Sequence, residues 1–424
     1  MDINRKTAYM TLLQIEKEGA YSNLALNENI DRSKADSPAF IRELTYGVLK
    51  NKYYLDFCLK AFVKKGFNKL KPEVITLLRM GAYQLMFMDS VPSYAAVSET
   101  VNLARKYARG REGFINGVLR AFDRAKNELP DIPRDDYSEY LGIKYSCEKW
   151  IVDLLIEAFG EEGAEKYLNA SNETPELYIR VNVLKNSPEE LTKELKALGF
   201  KVDKSELSER SLKVAGSGIL EIEAFKAGRF SVQDEASTLA ADILGAKKGM
   251  KVVDMCAAPG GKTMAIAELM ETQGEVLACD VYEHKLKLIE EQAKRAGLTI
   301  VRTALKDGRE NVKELEGTMD RVLSDVPCSG LGVIRRKPEI KYKEAFDMEA
   351  LVETQKEIIL NAASYLKPGG YLVYSTCTVN PAENQGVTDW FLEGRPNYTK
   401  VDERHLDPGV GTDGFYICKI SREA

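Results

Sequence analysis

The spacing of apolar residues divides the chain into three parts. In the first part apolar positions recur every three or four residues, as in AYMTLLQIEKE and AAVSETVNLARKYA, which is typical of amphipathic helices. The segment VITLLRMGAYQLMFM (74–88) is apolar on almost every side and predicts a helix at the centre of a helical domain. Two prolines among the charged residues of NELPDIPRDD then predict a linker. We therefore predict a helical domain over residues 1–135.

The second part, residues 136–230, mixes helical and strand periodicities. LYIRVNVLK alternates as a half-buried strand does. A helix should follow it, with Ser187 as N-cap, Glu190 at the third helical position and Gly199 beyond its end. Short apolar runs such as SLKVAG indicate further strands. The order predicts linker helices followed by a small α/β module.

The third part, residues 231–424, alternates strands with helices. The strand candidates are KVVDMC, EVLACD, TIVRTAL, RVLSDV, YLVYSTC and FYICKI. Strands separated by helices predict a parallel, doubly wound, Rossmann-like sheet, so the fold class is α/β with a helical domain in front. Ligands of such sheets bind beyond the carboxyl ends of the strands, and the functional residues are expected there.

Composition fits a globular protein of two or three domains, with 424 residues, 44% apolar and 29% charged. No apolar run is long enough to span a bilayer and the N-terminus lacks a secretory apolar core, so we expect a cytoplasmic monomer without membrane contact. Seven cysteines without a C-x-x-C pair, and only two histidines, argue against a metal site. The net charge is −5, yet residues 1–135 carry 22 Lys and Arg against 16 Asp and Glu. This excess indicates a nucleic-acid partner, although a chance imbalance explains it almost as well.

The bend VVDMCAAPGGKT joins the first strand of the predicted sheet to a helix. A phosphate-binding P-loop would need glycine at Cys256, and Pro259 removes a backbone donor, while the G-x-G-x-x-G fingerprint is absent. Asp280 ends the second strand, where a carboxylate suits the two hydroxyls of a ribose. Asp307 follows the third strand and is placed to accept from an adenine amino group. An adenosine ligand without a phosphate cradle favours S-adenosylmethionine. Any one Asp alone is more simply a cap or turn residue, but Asp254, Asp280 and Asp307 follow three consecutive strands, which favours a site.

Two cysteines follow neighbouring strands of the predicted sheet. Cys328 stands in SDVPCSG and Cys377 in YSTCTVNPAENQ, so both should face one crevice. A thiolate that adds to carbon 6 of a pyrimidine makes carbon 5 nucleophilic, so two thiols beside a methyl donor suggest C5 methylation. A helix capped by Asn380, with Glu383 at its third position, is expected to lower the pKa of a nearby thiol. Spacing leaves open which cysteine attacks, and packing is the alternative role for both.

Six polar or basic residues are predicted to bind RNA. Four follow the Pro-Cys loop in an otherwise acidic domain, which suits a phosphate backbone. The other two lie two positions apart on a strand of the middle module and share one face. For each, a solvated surface is the alternative. The candidates are Arg180, Asn182, Arg335, Arg336, Lys337 and Lys341.

The motifs DMCAAPGGKT, SDVPCSG and YSTCTVNPAENQ resemble those of the RNA cytosine-C5 methyltransferases of the Sun/Nop2/NSUN family, and FSVQDEAS and GTDGFYICKI fit the same pattern. The segments RMGAYQLMFMDSVPSYAAVSETV and GFINGVLR are similar to NusB-type RNA-binding domains. The combination resembles the bacterial branch that acts on 16S ribosomal RNA. The resemblance implies that Cys377 is the nucleophile and that Cys328 assists product release, whereas DNA cytosine methyltransferases attack with the Pro-Cys cysteine.

The resemblance also implies methyl transfer from S-adenosylmethionine to carbon 5 of a cytosine in 16S ribosomal RNA. The alternatives are a tRNA or DNA substrate and a non-catalytic RNA-binding assembly factor. The implied cofactor contacts are Cys256, Ala257, Ala258, Pro259, Gly260, Gly261 and Lys262, together with Asp280, Asp307 and Asp325.

Overall fold

The computed structural model describes residues 2–63, 66–408 and 412–424. The chain forms two compact units: residues 1–173 with 334–345, and residues 174–333 with 346–424. The motif GTDGFYICKI starts at Gly411, which lies outside the described residues. Within the described ranges, no helix is both long and apolar enough to cross a membrane.

The first unit is helical and packs around α5. Residues 76–85 of α5 are buried, which confirms the predicted central helix. A Cβ on Gly81 of α5 would lie 2.5 Å from Leu119 Cδ1 of α7, so only glycine allows the two helices to approach this closely. Gly160, with φ +72°, divides α9 into two helical pieces. The helices are α1 (Ile3–Glu18), α2 (Ser22–Arg32), α3 (Pro38–Lys50), α4 (Lys52–Lys60), α5 (Pro72–Phe87), α6 (Ser93–Tyr107), α7 (Glu112–Ala125), α8 (Tyr137–Lys144) and α9 (Lys149–Asn172).

The second unit begins with a small antiparallel sheet in the strand order β2-β3-β1-β4. Ser187 and Glu190 form the predicted capping box at the start of α10, which confirms this part of the sequence interpretation. The elements are β1 (Leu177–Val181), α10 (Pro188–Ala197), β2 (Lys201–Lys204), β3 (Ser211–Ala215), α11 (Glu223–Lys226) and β4 (Phe230–Val232).

A larger sheet follows, with the strand order β10-β11-β9-β8-β5-β6-β7. The predicted parallel arrangement is confirmed for β5 to β9, but β11 runs antiparallel to β9. The sequence does not predict strand β10, because this edge strand has no buried residue and its residues, YTKVDERHL, are mostly polar. The elements are α12 (Glu235–Leu244), β5 (Lys251–Asp254), α13 (Gly261–Leu269), β6 (Glu275–Asp280), α14 (Glu283–Ala296), β7 (Val301–Leu305), β8 (Met319–Asp325), α15 (Met348–Tyr365), β9 (Leu366–Thr376), α16 (Gln385–Leu392), β10 (Tyr398–Leu406) and β11 (Phe415–Arg422).

The parallel strands place four polar residues at one edge of the sheet. Asp254, Asp280, Asp325 and Thr376 are the last residues of β5, β6, β8 and β9. Because parallel strands share the direction of their carboxyl ends, the loops that follow them converge. The bend after β5 and both cysteine loops therefore lie at this edge.

Candidate active site

A pocket lies beside the bend between β5 and α13. Gly260 has φ +102°, and a Cβ there would lie 3.1 Å from Ile289 Cγ1, so the bend requires glycine. Apart from Gly260, every residue predicted in the bend lines the pocket. The lining residues are Val232, Gln233, Ser237, Asp254, Cys256, Ala257, Ala258, Pro259, Gly261, Lys262 and Asp325.

Two buried oxygens of pocket-lining residues lack a hydrogen-bond partner in the described part of the chain: Gln233 Oε1 and Asp254 Oδ1. The second carboxylate oxygen of Asp254, Oδ2, accepts from Thr263 Oγ1 at 2.6 Å. Burial raises the pKa of Asp254 to about 7. Buried polar atoms are nearly always paired, so these acceptors fit a ligand that brings donors, as the amino and hydroxyl groups of S-adenosylmethionine would.

Asp280 and Asp307, which the sequence predicts as cofactor contacts, are not among the residues that line the pocket. Asp280 is buried and accepts from the backbone nitrogens of Ala258, at 3.2 Å, and Tyr282, at 3.1 Å. Asp280 therefore stabilises the backbone of the bend. Asp307 Oδ2 lies 2.6 Å from a guanidinium nitrogen of Arg309, and this hydrogen bond holds the pKa of Asp307 below its usual value. A ligand that used Asp307 would have to share it with Arg309.

Lys262 links the pocket to the cysteine loops. Its Nζ donates to Asp325 Oδ2 at 2.6 Å, and Ser375 Oγ donates to the other oxygen of Asp325 at 2.7 Å. Burial opposes the charged amine, but the anionic Asp325, assisted by the nearby Cys377, raises the pKa of Lys262. Lys262 is therefore held as a cation close to Cys377, and a neighbouring cation favours the thiolate form of a cysteine.

Cys328 and Cys377 face each other with their sulfurs 3.4 Å apart. The register of β8 and β9 pairs Asp325 with Ser375, so the loops that follow leave the sheet side by side. The contact with Cys377, together with burial, raises the pKa of Cys328 well above its usual range. A hydrogen bond between two sulfurs needs one donor and one acceptor, and in this contact either sulfur can be the donor.

The helix after Cys377 starts later than the sequence predicts. It begins at Gln385, and residues 381–384 form a turn in which Asn380 Oδ1 accepts from Ala382 N at 3.2 Å. The predicted helix start at Asn380 is therefore wrong, and a helix N-terminus directly after Cys377 is not available to lower the pKa of its thiol. Glu383, predicted to be a residue of the first helical turn, instead turns inward and is fully buried.

The structure gives Arg180 and Asn182 roles inside the protein instead of the predicted RNA contacts. The Arg180 guanidinium is fully buried and donates to both carboxylate oxygens of Glu268, at 2.8 and 3.0 Å. The Asn182 side chain donates to the backbone oxygens of Gly228 at 3.0 Å and Ala296 at 3.2 Å. Arg180 lies on β1 and Asn182 directly follows its last residue, Val181, and both side chains pack against protein.

The basic segment after the Cys328 loop is also partly buried. Lys341 is fully buried in the first unit, where its Nζ donates to Tyr145 O at 2.7 Å and to the Asn172 side chain, so its predicted RNA contact is corrected. Arg335 is buried as well, Arg336 is half-buried and Lys337 is exposed. Of this segment, Lys337 is the cation that remains well placed to meet RNA.

Three residues that the structure places at the site are not among the catalytic residues or cofactor contacts that the sequence predicts. Gln233 lies in the motif FSVQDEAS, whose pattern assigns no role to any single residue. Asp254 belongs to the predicted series of carboxylates after consecutive strands, but it is not among the implied cofactor contacts. Glu383 is predicted only as part of a helix cap. Their burial and their partners depend on segments far apart in the chain. Among the described residues, no group of three or more His, Cys, Asp or Glu side chains could hold a metal ion.

Three family models match the chain. They are described as NusB family over residues 2–124, RsmF/B-like ferredoxin-like domain over residues 148–220, and 16S rRNA methyltransferase RsmB/F over residues 241–419. Together with the helical unit, the small sheet and the larger mixed sheet, these matches define a ribosomal RNA methyltransferase with a NusB-like domain.

Relatives that align with nearly the whole chain show which family it belongs to. The chain is 38% identical over 444 residues to the probable ribosomal RNA small subunit methyltransferase B of Bacillus subtilis (strain 168), covering 99% of this chain and 98% of the relative. It is 32% identical over 430 residues to the Vibrio cholerae ribosomal RNA small subunit methyltransferase B, covering 99% and 97%. The chain therefore belongs to the ribosomal RNA small subunit methyltransferase B family.

Solved structures agree with this assignment. The crystal structure of PH0851 is 27% identical, with a TM-score of 0.85, and the match covers 100% of this chain and 99% of that one. NSun6 from Pyrococcus horikoshii, solved with SFG, is 25% identical with a TM-score of 0.59, covering 65% of this chain and 98% of that chain.

Proposed function

We propose that this protein transfers a methyl group from S-adenosylmethionine to carbon 5 of a cytosine in 16S ribosomal RNA, with Cys377 as the nucleophile and Cys328 acting in product release. The observation that supports this most strongly is the 3.4 Å contact between the two sulfurs, close to a pocket with unpaired buried oxygens. Membership of the ribosomal RNA small subunit methyltransferase B family supports the class of substrate.

The cofactor is proposed to bind in the pocket between the bend after β5 and Gln233. Gln233 and Asp254 would accept hydrogen bonds from it, while the bend from Cys256 to Lys262 would surround it, with Asp280 holding the bend in place. Asp325 and Asp307 complete the proposed set. The similar NSun6 structure contains SFG, an analogue of S-adenosylmethionine, which supports this assignment. When bound, S-adenosylmethionine would supply the methyl group.

The cysteines are proposed to act on the base in two stages. The Cys377 thiolate first adds to carbon 6, and the electron pair of the C5–C6 double bond makes carbon 5 nucleophilic enough to take the methyl group. A base then removes the proton from carbon 5, the double bond re-forms and the bond between carbon 6 and sulfur breaks. Lys262 stabilises the thiolate before attack. Cys328, 3.4 Å from the leaving sulfur, is positioned for the second stage.

Single replacements of the two cysteines separate these stages. Cys377→Ala should abolish both the methylated product and any covalent adduct, because attack at carbon 6 precedes every later step. Cys328→Ala should accumulate a denaturant-resistant protein–RNA band that requires S-adenosylmethionine. Cys147→Ala, which removes a buried thiol of the first unit, is the matched control. An adduct that appears with Cys377→Ala and disappears with Cys328→Ala would reverse the roles, and two fully active variants would refute the covalent mechanism.

The substrate is tested by bisulfite sequencing of total RNA from cells with and without the gene. We expect the loss of one 5-methylcytosine in 16S ribosomal RNA. A site lost from tRNA instead would support a tRNA methyltransferase, and no lost site would support a non-catalytic assembly factor.

A further inference from the structure

Glu383 lies fully buried and is bonded to both cysteine loops. Its Oε2 accepts from Ser329 N at 2.7 Å, and its Oε1 accepts from Ser329 Oγ at 2.6 Å and from Asn380 Nδ2 at 3.0 Å. Ser329 directly follows Cys328, and Asn380 stands three residues after Cys377. One carboxylate therefore fixes the position of one cysteine loop relative to the other.

Further contacts make this arrangement rigid. Gln355 Nε2, from α15, donates to Glu383 Oε2 at 3.1 Å and to Pro327 O at 2.9 Å. The hydroxyls of Ser329 and Thr378 lie 2.7 Å apart, so the residues that directly follow the two cysteines are also hydrogen-bonded to each other. The segment 327–329, which carries Cys328, is thus held on both sides by groups that converge on Glu383.

Charged groups of both signs lie beside the cysteine pair. The contacts of Glu383 described above are all with neutral amide and hydroxyl groups, so dipoles stabilise its negative charge. The ionisable groups that face Cys328 are Cys377, Glu383 and Asp325, and the Tyr374 phenol also lies close by. Cys377 has the Lys262 cation among its neighbours. An anion disfavours ionisation of a neighbouring thiol and a cation favours it.

We propose that Glu383 is the positioning residue that keeps Cys328 a neutral thiol in contact with Cys377 and thereby makes Cys377 the nucleophile. The inference rests on the proposed methylation chemistry, but it concerns which sulfur ionises, a property that is measurable without RNA or cofactor. The oxygens of Glu383 are occupied by protein donors, so Glu383 acts through the cysteines and does not touch the base.

The test is alkylation of the full-length protein by iodoacetamide, followed by mass spectrometry. Cys328 and Cys377 lie on different tryptic peptides, so each rate is measured separately between pH 6 and pH 10. In the wild type we expect Cys377 to react faster than Cys328 at pH 7.5. Glu383→Gln, which keeps the length of the side chain but removes its charge, should raise the ratio of Cys328 to Cys377 rates at least tenfold and move the Cys328 profile to lower pH. Glu393→Gln, the same chemical change at an exposed position, is the control.

Rescue separates charge from shape. Glu383→Asp restores the charge on a shorter side chain and should return the reactivity ratio toward the wild-type value. Wild-type ratios and pH profiles in Glu383→Gln would overturn the proposal, and so would equal changes in Glu383→Gln and Glu383→Asp. If Glu383→Gln does not fold, Glu383→Asp and Ser329→Ala are compared instead: Ser329→Ala, which keeps the charge, should preserve the order of reactivity, and an inverted order would overturn the proposal. An active Cys377→Ala enzyme would refute the methylation mechanism without changing these thiol measurements.

Discussion

Asp254→Asn should stabilise the ligand-free protein and weaken its binding of the cofactor. Asp254 is almost completely buried, one of its oxygens lacks a partner among the described residues, and its pKa is raised by burial from 3.8 to about 7. An ionised carboxylate in this position is therefore costly unless a ligand supplies a donor. An amide keeps the shape of the side chain and can still accept from Thr263, but it carries no charge.

The size of the effect follows from the shift in pKa. The unfolded chain ionises Asp254 near 3.8 and the folded chain near 7, so the folded state binds more protons between these values and the free energy of unfolding falls as pH rises through them. At about 1.4 kcal/mol per unit, the cost to the folded state is about 4 kcal/mol at pH 8 and about 2 kcal/mol at pH 5. The stability gained by Asp254→Asn should therefore be about 2–3 kcal/mol larger at pH 8 than at pH 5. Comparing the gain at pH 8 with the gain at pH 5 removes any contribution of the amide to stability that does not depend on pH.

Urea unfolding of the full-length protein without cofactor measures this difference. The chain has two tryptophans, Trp150 in the first unit and Trp390 in the second. In a Trp150→Phe background, fluorescence reports on the unit that contains Asp254. Asp203→Asn, the same chemical change at an exposed position, is the matched control.

Cofactor binding should respond in the opposite direction. Calorimetry should show S-adenosylmethionine bound about 1–3 kcal/mol more weakly by Asp254→Asn, because a buried donor of the ligand loses its charged acceptor. The wild-type affinity should also fall as pH drops below about 7, where the carboxyl group of Asp254 gains a proton. Equal stability gains at pH 5 and pH 8 would refute the buried-charge argument, and an undiminished affinity would remove Asp254 from the cofactor site.

Three further predictions concern other parts of the molecule. Asp280→Ala should weaken S-adenosylmethionine binding by about 1–3 kcal/mol, since the bend loses the acceptor of Ala258 N; calorimetry with unchanged affinity would contradict this. Arg180→Ala should lower the free energy of unfolding by about 3 kcal/mol, because it removes the main partner of the buried Glu268. Weaker RNA binding by a fully stable Arg180→Ala variant would instead restore the RNA-contact interpretation. Reversing exposed cations of the helical unit should weaken RNA binding and reduce its dependence on salt, and an unaltered salt slope would argue against RNA docking there. The positions are Arg105, Arg109 and Arg120.

The sequence by itself determined the alternation of strands and helices from β5 to β9 and the meeting of the cysteine loops. Alternation of apolar strands with helices is a local property, and it dictates parallel strands whose carboxyl ends converge. This convergence is enough to place Cys328 and Cys377 at one crevice. The sequence also predicts the bend after β5, because a run of small residues between a strand and a helix start is typical of a tight turn.

Only the tertiary structure decided which polar side chains face a ligand and which hold the protein together. Arg180 on an alternating strand has the sequence signature of a surface cation, yet its partner Glu268 lies 88 residues away. Lys341 meets Tyr145 across 196 residues, and Glu383 bonds Ser329 across 54. Burial and pairing of such groups depend on packing between distant segments, and local periodicity contains no information about that packing. The same physical reason distinguishes Gln233 and Asp254, each with one buried oxygen that has no partner among the described residues, from Asp280, whose oxygens accept from backbone nitrogens.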